Sequence, residues 1–294
     1  MMNLANRRKG EVYGLLLTVI ESWFPLLAAL SVASLGALHS YFYSLLLATL
    51  LLFGWWWRSQ KQADLRCRAA YWPLAMTSLL ITLIYLLLFS ALALTSPSNV
   101  ALILFLQVLF GYLFLGRRAE ERLGKAPLWG ALLMMIGAMI VLFPGQWQMR
   151  WGDLLVLGAA MLAPIANLYQ KRARAQVSSQ TILMVRSLVA LPFVFGFAVW
   201  LEPQPSMEAL SSQLWILLFV GVLVLVFAKV LWIEAIHLLP ITTVSAMFAF
   251  TPLLTLLWSA WFWQQSPHWY QWLGALPIVV GSLLLSQGDQ AKKP

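Results

Sequence analysis

Apolar residues run in long blocks broken by short charged or Pro-, Gly- and Ser-bearing stretches, at about 11 to 30, 37 to 57, 72 to 94, 97 to 116, 127 to 144, 152 to 170, 180 to 201, 213 to 236, 240 to 262 and 269 to 286. A bilayer-crossing helix needs roughly 20 apolar residues, so this pattern predicts an all-α integral membrane protein with ten transmembrane helices. The first block follows Arg7, Arg8 and Lys9, as a signal peptide would. It is long and has no convincing small-residue cleavage site before the next block, so it reads as helix 1.

Composition agrees with that reading. Of 294 residues, 62% are hydrophobic and 10% charged, against roughly 45–50% and 25% in soluble domains, and mean hydropathy is +0.81. A soluble single domain is excluded, and the loops leave no room for a second, water-soluble one. Cys67 is the only cysteine, so neither an internal disulfide nor a cysteine-based metal site can form.

The formal net charge of +9 changes meaning once the basic residues are placed. With the N-terminus inside, 16 of the 19 Lys and Arg fall in cytoplasmic segments, around 7–9, 58–68, 117–125, 171–174 and 292–293; only Arg150 lies outside, while Arg186 and Lys229 lie within spans. Basic residues near span ends are retained on the cytoplasmic side. The charge therefore reports topology, not nucleic-acid binding, and places both termini in the cytoplasm of a bacterial-type inner membrane. Trp55, Trp56, Trp57, Trp72 and Trp129 mark the inner interface on this reading, and Trp147, Trp151, Trp263 and Trp269 the outer one.

Shifted by 144 positions, the chain matches itself. Gly14 falls on Gly158, Ala91, Leu94 and Val100 on Ala235, Leu238 and Val244, and Gly130, Ala131, Leu132 and Gly137 on Gly274, Ala275, Leu276 and Gly281. The shared glycines and constant register indicate two five-helix repeats, 1–145 and 146–294. An odd number of spans per repeat makes the second enter from the opposite side, the inverted arrangement of many secondary transporters.

Polar groups inside hydrocarbon are costly and usually face a cavity or a partner. Glu21 lies roughly 15 Å into helix 1 at 1.5 Å per residue; a structural ion pair or a protonated carboxyl is the alternative to a functional role. Lys229 in helix 8 either serves the cavity or snorkels to the cytosol. Their similar depths allow the two to pair. Arg186, near the start of helix 7, is expected to snorkel, and Glu234 to pair with Lys171, Arg172 or Arg186 at the membrane edge. The repeat sets Tyr85 against Lys229 and Gln107 against Thr251, four natural wall residues, with interhelical hydrogen bonds as the alternative. Asn167 follows Pro164, where it serves a ligand or repairs a kink. Trp23 and Trp232 are aromatic wall residues or packing groups. No His/Asp/Glu cluster has metal-ligand spacing and no phosphate-cradling Gly-rich loop occurs, so no cofactor and no enzymatic activity are expected.

These residues resemble the ten-helix EamA-type branch of the drug/metabolite transporter superfamily. The resemblance rests on Ala235-Ile-His-Leu-Leu-Pro240, Phe250-Thr-Pro-Leu-Leu254 and Gly274-Ala-Leu-Pro-Ile-Val-Val-Gly281 in the second half, and on Ala91-Leu-Ala-Leu-Thr-Ser, Glu121-Arg-Leu and the segment from Gly130 to Gly137 in the first. Glu120-Glu121 is matched by Gln264-Gln265, and the helix 4 proline is replaced near Gln107 and Val108 while Pro252 is kept. The resemblance implies a central cavity lined by helices 1, 3, 4, 6, 8 and 9. It implies export or exchange of a small metabolite, an amino acid first; protons, acting on the Glu21–Lys229 pair, are the candidate coupling ion. An anionic or phosphorylated metabolite is the alternative, favoured if Lys229 and Arg186 both face the cavity; a lipid or lipid-linked flippase is a further one. Oligomeric state stays open.

Overall fold

The computed structural model describes residues 4–115, 127–142, 150–241, 244, 250–262 and 267–287. Among them are thirteen α-helices: α1 Leu4–Glu21, α2 Phe24–Leu35, α3 Ala37–Arg58, α4 Tyr71–Leu92, α5 Pro97–Leu104, α6 Gln107–Leu115, α7 Pro127–Leu142, α8 Trp151–Arg174, α9 Ser179–Leu201, α10 Met207–Leu218, α11 Lys229–Leu238, α12 Thr251–Phe262 and α13 Trp269–Gln287. A π-helical stretch, Phe219–Ala228, joins α10 to α11, and 3-10 turns at Lys61–Arg66 and Arg68–Ala70 lead into α4. No described residue is in a strand.

Among the described residues, seven helical stretches are long and apolar enough to cross a membrane: Arg8–Leu35, Ala37–Arg58, Arg68–Leu92, Pro97–Leu115, Trp151–Arg174, Ser179–Leu201 and Met207–Leu238. Leu132–Val141 and Trp269–Leu284 are shorter apolar helices. The expected loop carboxylates Glu120 and Glu121, and Gln264 and Gln265, lie outside the described residues, as do Trp147 and Trp263.

Local chemistry sets the helix starts. Ser96, Ser178 and Ser206 each stand just before a helix in extended backbone and accept the N–H three residues on, from Asn99, Thr181 and Ala209, satisfying donors that have no partner inside the helix. At the start of α3 the Glu202 carboxylate takes this part, accepting from the backbone N–H of Leu38 at 3.0 and 3.1 Å and of His39 at 3.1 Å, where the helix dipole favours a negative charge. Gly36 makes room for it: its φ is +86°, and a Cβ there would lie 2.5 Å from Glu202 Oε2.

Another carboxylate ties the α3–α4 loop to α9. Asp64 accepts from Ser178 N at 2.9 Å, Ser178 Oγ at 2.5 Å and Thr181 Oγ1 at 2.7 Å. Partial burial alone would raise its pKa, but the Ser178 and Thr181 hydrogen bonds, with Lys61 nearby, outweigh that and hold it below the ordinary Asp value.

Two of the expected helices are broken. Helix 1 interrupts its ladder between Glu21 and Phe24, because Pro25 has no N–H to offer the Glu21 carbonyl. Helix 4 is interrupted at Phe105 and Leu106 without a proline; Leu106 and Val108 donate to Ile103 and Phe105 in tight i−3 bonds at 3.0 and 3.1 Å. Its second segment, α6, begins at Gln107, and α12 begins at Thr251, the position that the 144-residue shift assigns to Gln107.

Packing follows the same correspondence. α4 packs on α8 and α1 on α11, a pair of contacts that the shift interchanges, while α3 packs on α9 and α7 on α13. The α7–α13 crossing uses the repeated glycines. A Cβ on Gly137 would lie 2.5 Å from Gly274 O, one on Gly274 2.8 Å from Gly137 O, and one on Gly281 would overlap Gly130 O. The two backbones therefore touch, which only glycine permits.

The tryptophans divide. Trp57, Trp72, Trp129, Trp151 and Trp269 are exposed as expected of interface residues, but Trp56 is buried and donates through Nε1 to Thr181 Oγ1 at 3.0 Å.

Gly137→Leu and Gly281→Leu should each lower the melting temperature of the purified protein, because overpacking a tight crossing costs about 1–3 kcal/mol. Gly54→Leu is the control, since nothing lies within 4 Å of a Cβ there. Equal melting temperatures for all three variants would show that the crossing is loose.

Candidate functional site

The helix breaks converge on one cavity of about 120 Å³. Glu21 and Pro25 line it from helix 1, Tyr85 from α4, Gln107 from α6, Asn167 and Gln170 from α8, Arg186 from α9, Lys229 and Trp232 from α11, and Thr251 and Pro252 from α12. Between these polar groups the wall is apolar, with Phe24, Ile81, Ile84, Leu88 and Phe105. The lining thus comes from helices 1, 3, 4, 6, 8 and 9, with helix 7 added through Arg186. A larger groove, about 730 Å³, lies between α4 and α9, lined by residues such as Leu79, Leu83, Val189 and Phe193. Among the described residues, no charged side chain lines it.

Glu21 and Lys229 meet: Lys229 Nζ donates to Glu21 Oε1 in a short ion pair joining helix 1 to helix 8. Both side chains are largely shielded from water, so each removes the cost of holding the other in a low-dielectric medium. Lys229 therefore does not snorkel. Its ammonium also sits 5.7 Å from the centre of the Tyr85 ring, within cation–π range. Tyr85 in turn stacks on Tyr41, centroids 5.5 Å apart, and meets Phe24 edge-on at 6.0 Å.

Trp232 is held in the wall by its indole N–H, which donates to Asn167 Oδ1 at 3.0 Å. α8 continues through Pro164, so Asn167 bridges to α11 and is not the repair of a broken helix. Gln107 and Thr251 both open a helical segment at the cavity. The Thr251 hydroxyl is buried without a hydrogen-bond partner.

Three expectations are corrected. Trp23 does not line the cavity: it stacks on Trp258 at 5.0 Å and meets Phe262 at 5.2 Å, because the break in helix 1 turns it toward α12, where Trp258 Nε1 and Thr255 Oγ1 bond Ser22. Arg186 does not snorkel; it is 4% exposed and faces the cavity. Glu234 pairs with Arg174, accepting from Nε at 2.8 Å and Nη2 at 3.0 Å; Lys171 instead reaches the Leu239 carbonyl at 3.3 Å.

The sequence reading passed over two groups. Gln170 lines the cavity and is 1% exposed, and its Oε1 has no hydrogen-bond partner. Its position one turn below Asn167 on the same helix face was the available signal. Farther off, Asp153 is buried and accepts from Thr95 Oγ1 at 2.6 Å and Asn99 Nδ2 at 3.4 Å, and Gln271 Nε2 donates to Asn99 Oδ1 at 2.6 Å. Among the described residues, no group of three or more His, Cys, Asp or Glu could hold a metal ion.

The helical bundle has counterparts among known proteins. The model of the EamA-like transporter family matches the chain twice, over residues 8–143 and 150–287. The chain belongs to the EamA-like transporter family. This EamA-like protein is also 22% identical over 227 residues to the uncharacterized transporter sll1164 of Synechocystis sp., a match covering 71% of the chain and 65% of that relative. A solved structure titled only as the crystal structure of a protein superposes with a TM-score of 0.75 at 17% identity, covering 97% of this chain and 99% of the other. That likeness shows the shared fold. Membership makes this EamA-like chain a multi-pass membrane protein of a transporter family.

Removing one partner of the Glu21–Lys229 pair strands the other charge, at about 3–5 kcal/mol, whereas neutralising both removes that cost. Glu21→Gln with Lys229→Met should therefore melt higher in detergent than the less stable of the two single variants. A double variant no more stable than the worse single would show that the pair is not coupled.

Proposed function

We propose that this protein is a secondary transporter that moves a small metabolite through the central cavity by alternating access. In this reading ten spans form two inverted five-helix halves, residues 1–145 and 146–294, and the pair between Glu21 and Lys229 is the element that cargo or a proton separates during the cycle. The single observation that carries the reading is that ion pair, set beside a bend in helix 1 in the wall of an otherwise apolar cavity. An ion pair inside hydrocarbon is poor support for stability alone, and intramembrane ionisable residues mark transport paths by default. Tyr85, Gln107, Asn167, Trp232 and Thr251 complete the binding wall.

The amphipathic cavity suits a molecule about the size of an amino acid. A flippase reading is less supported, because the apolar groove between α4 and α9 carries no charged group for a lipid headgroup, and the polar groups are gathered elsewhere.

Two experiments test this. Metabolite profiling of cells and medium, with wild-type protein or Glu21→Gln overexpressed, should reveal a compound redistributed by the wild type alone. In proteoliposomes Glu21→Gln should lose pH-driven flux of that compound while retaining exchange. Normal pH-driven flux by a Glu21→Gln variant of unchanged stability would falsify the coupling role.

Topology is tested separately, in a background where Cys67 is replaced by Ser. Ser206→Cys should react with an impermeant thiol reagent from outside sealed cells, and Gln62→Cys should not. The opposite pattern refutes the cytoplasmic placement of the termini and the assigned orientation of the halves.

A further inference from the structure

We infer that the cargo binds as a small organic anion, with its oxyanion group on Arg186. The inference rests on the transport reading and adds the charge of what is carried. Among the described residues, three charged groups line the cavity, and Glu21 and Lys229 compensate one another. Arg186 is the third. It is 4% exposed, and it has no hydrogen bond or ion pair with any described residue; the ionisable groups acting on it are Tyr85, Tyr41 and Glu21. The described lining of the cavity therefore carries one surplus positive charge.

A guanidinium stays protonated and offers five donors in a planar fork that matches a carboxylate or phosphate. Buried without a carboxylate of its own, it leaves both its charge and its donors to be satisfied by what enters. A zwitterion would leave the surplus in place; a monoanion cancels it.

Two other features agree. Gln170 lines the same cavity with an amide oxygen that accepts nothing, and the Thr251 hydroxyl in the wall is likewise unpartnered, so the wall holds unused polar groups besides Arg186. The chemistry that fits is a small oxyanion, either a carboxylate or a phosphate ester.

Isothermal titration of the purified full chain with lactate, glycerol 3-phosphate, alanine and glycerol tests the assignment. One of the two anions should bind saturably and more tightly than alanine or glycerol; which one does so separates carboxylate from phosphate. Arg186→Gln should weaken that binding about tenfold or more, and Arg186→Lys, which keeps the charge but loses the fork, should fall between. Ligand-free Arg186→Gln should melt no lower than the wild type, since it removes an uncompensated charge. The proposal is overturned if neither anion binds, if alanine or glycerol binds more tightly, if Arg186→Gln leaves anion affinity unchanged, or if ligand-free Arg186→Gln melts lower than the wild type. Anion binding that depends on Arg186 without flux of any probe in proteoliposomes would remove the transport reading and leave the anion site; alanine flux indifferent to Arg186 would do the reverse.

Discussion

The Glu21–Lys229 ion pair joins the two repeats at the place where the backbone is least regular. In hydrocarbon a broken helical ladder is tolerated only where protein or a polar cavity surrounds it, and the breaks in helices 1 and 4 both fall on the cavity wall. The two features support each other. Pro25 frees the Glu21 carbonyl and bends the chain, α12 steadies the bend through Thr255 and Trp258 on Ser22, and the carboxylate is thereby presented to a lysine on the helix that packs against α1.

The symmetry of the sequence is expressed in the packing. The interchange of α4–α8 with α1–α11, and the self-pairing of α7 with α13, are what a two-fold relation between repeats produces. The glycines that revealed the repeat are also the ones whose missing side chains let α7 and α13 touch. Sequence periodicity and backbone contact here have a single cause, the need to bring two helices close where no hydrophobic force draws them together.

Legibility from the sequence followed the physics of each residue. Glu21 and Lys229 could be found because charge at that depth is costly wherever it points, and their pairing because depth follows from rise per residue. Gln107 and Thr251 came from the repeat. Direction was harder: Arg186 sits close enough to a membrane edge for its long side chain to reach water, and only the packing of α9 against α3 and α4 shows that it turns inward instead. Trp23 was misplaced for the same reason, since its direction depends on a bend whose angle the sequence does not state. Glu234 met Arg174 and not the neighbouring Lys171 because helix phase decides between cations three residues apart. The break in helix 4 without a proline left no mark in composition at all.

Two contacts in roughly corresponding places of the repeats differ in chemistry. The start of α8 lies on the end of α4, with Gly152 against Leu94 and Thr95, and a buried polar chain of Asp153, Thr95, Asn99 and Gln271 runs beside it. In the other contact α1 lies on the end of α11, with Gly10 against Leu238 and Leu239, and Lys171 Nζ donates to the Leu239 carbonyl at 3.3 Å. Hydrogen bonds parted in the presence of water are exchanged for others, at a net cost of about 0.5–1.5 kcal/mol each. Apolar surface has no such exchange and costs about 25 cal/mol for every Å² uncovered, so the leucine surfaces packed on Gly152 and Gly10 resist parting more than the polar groups beside them.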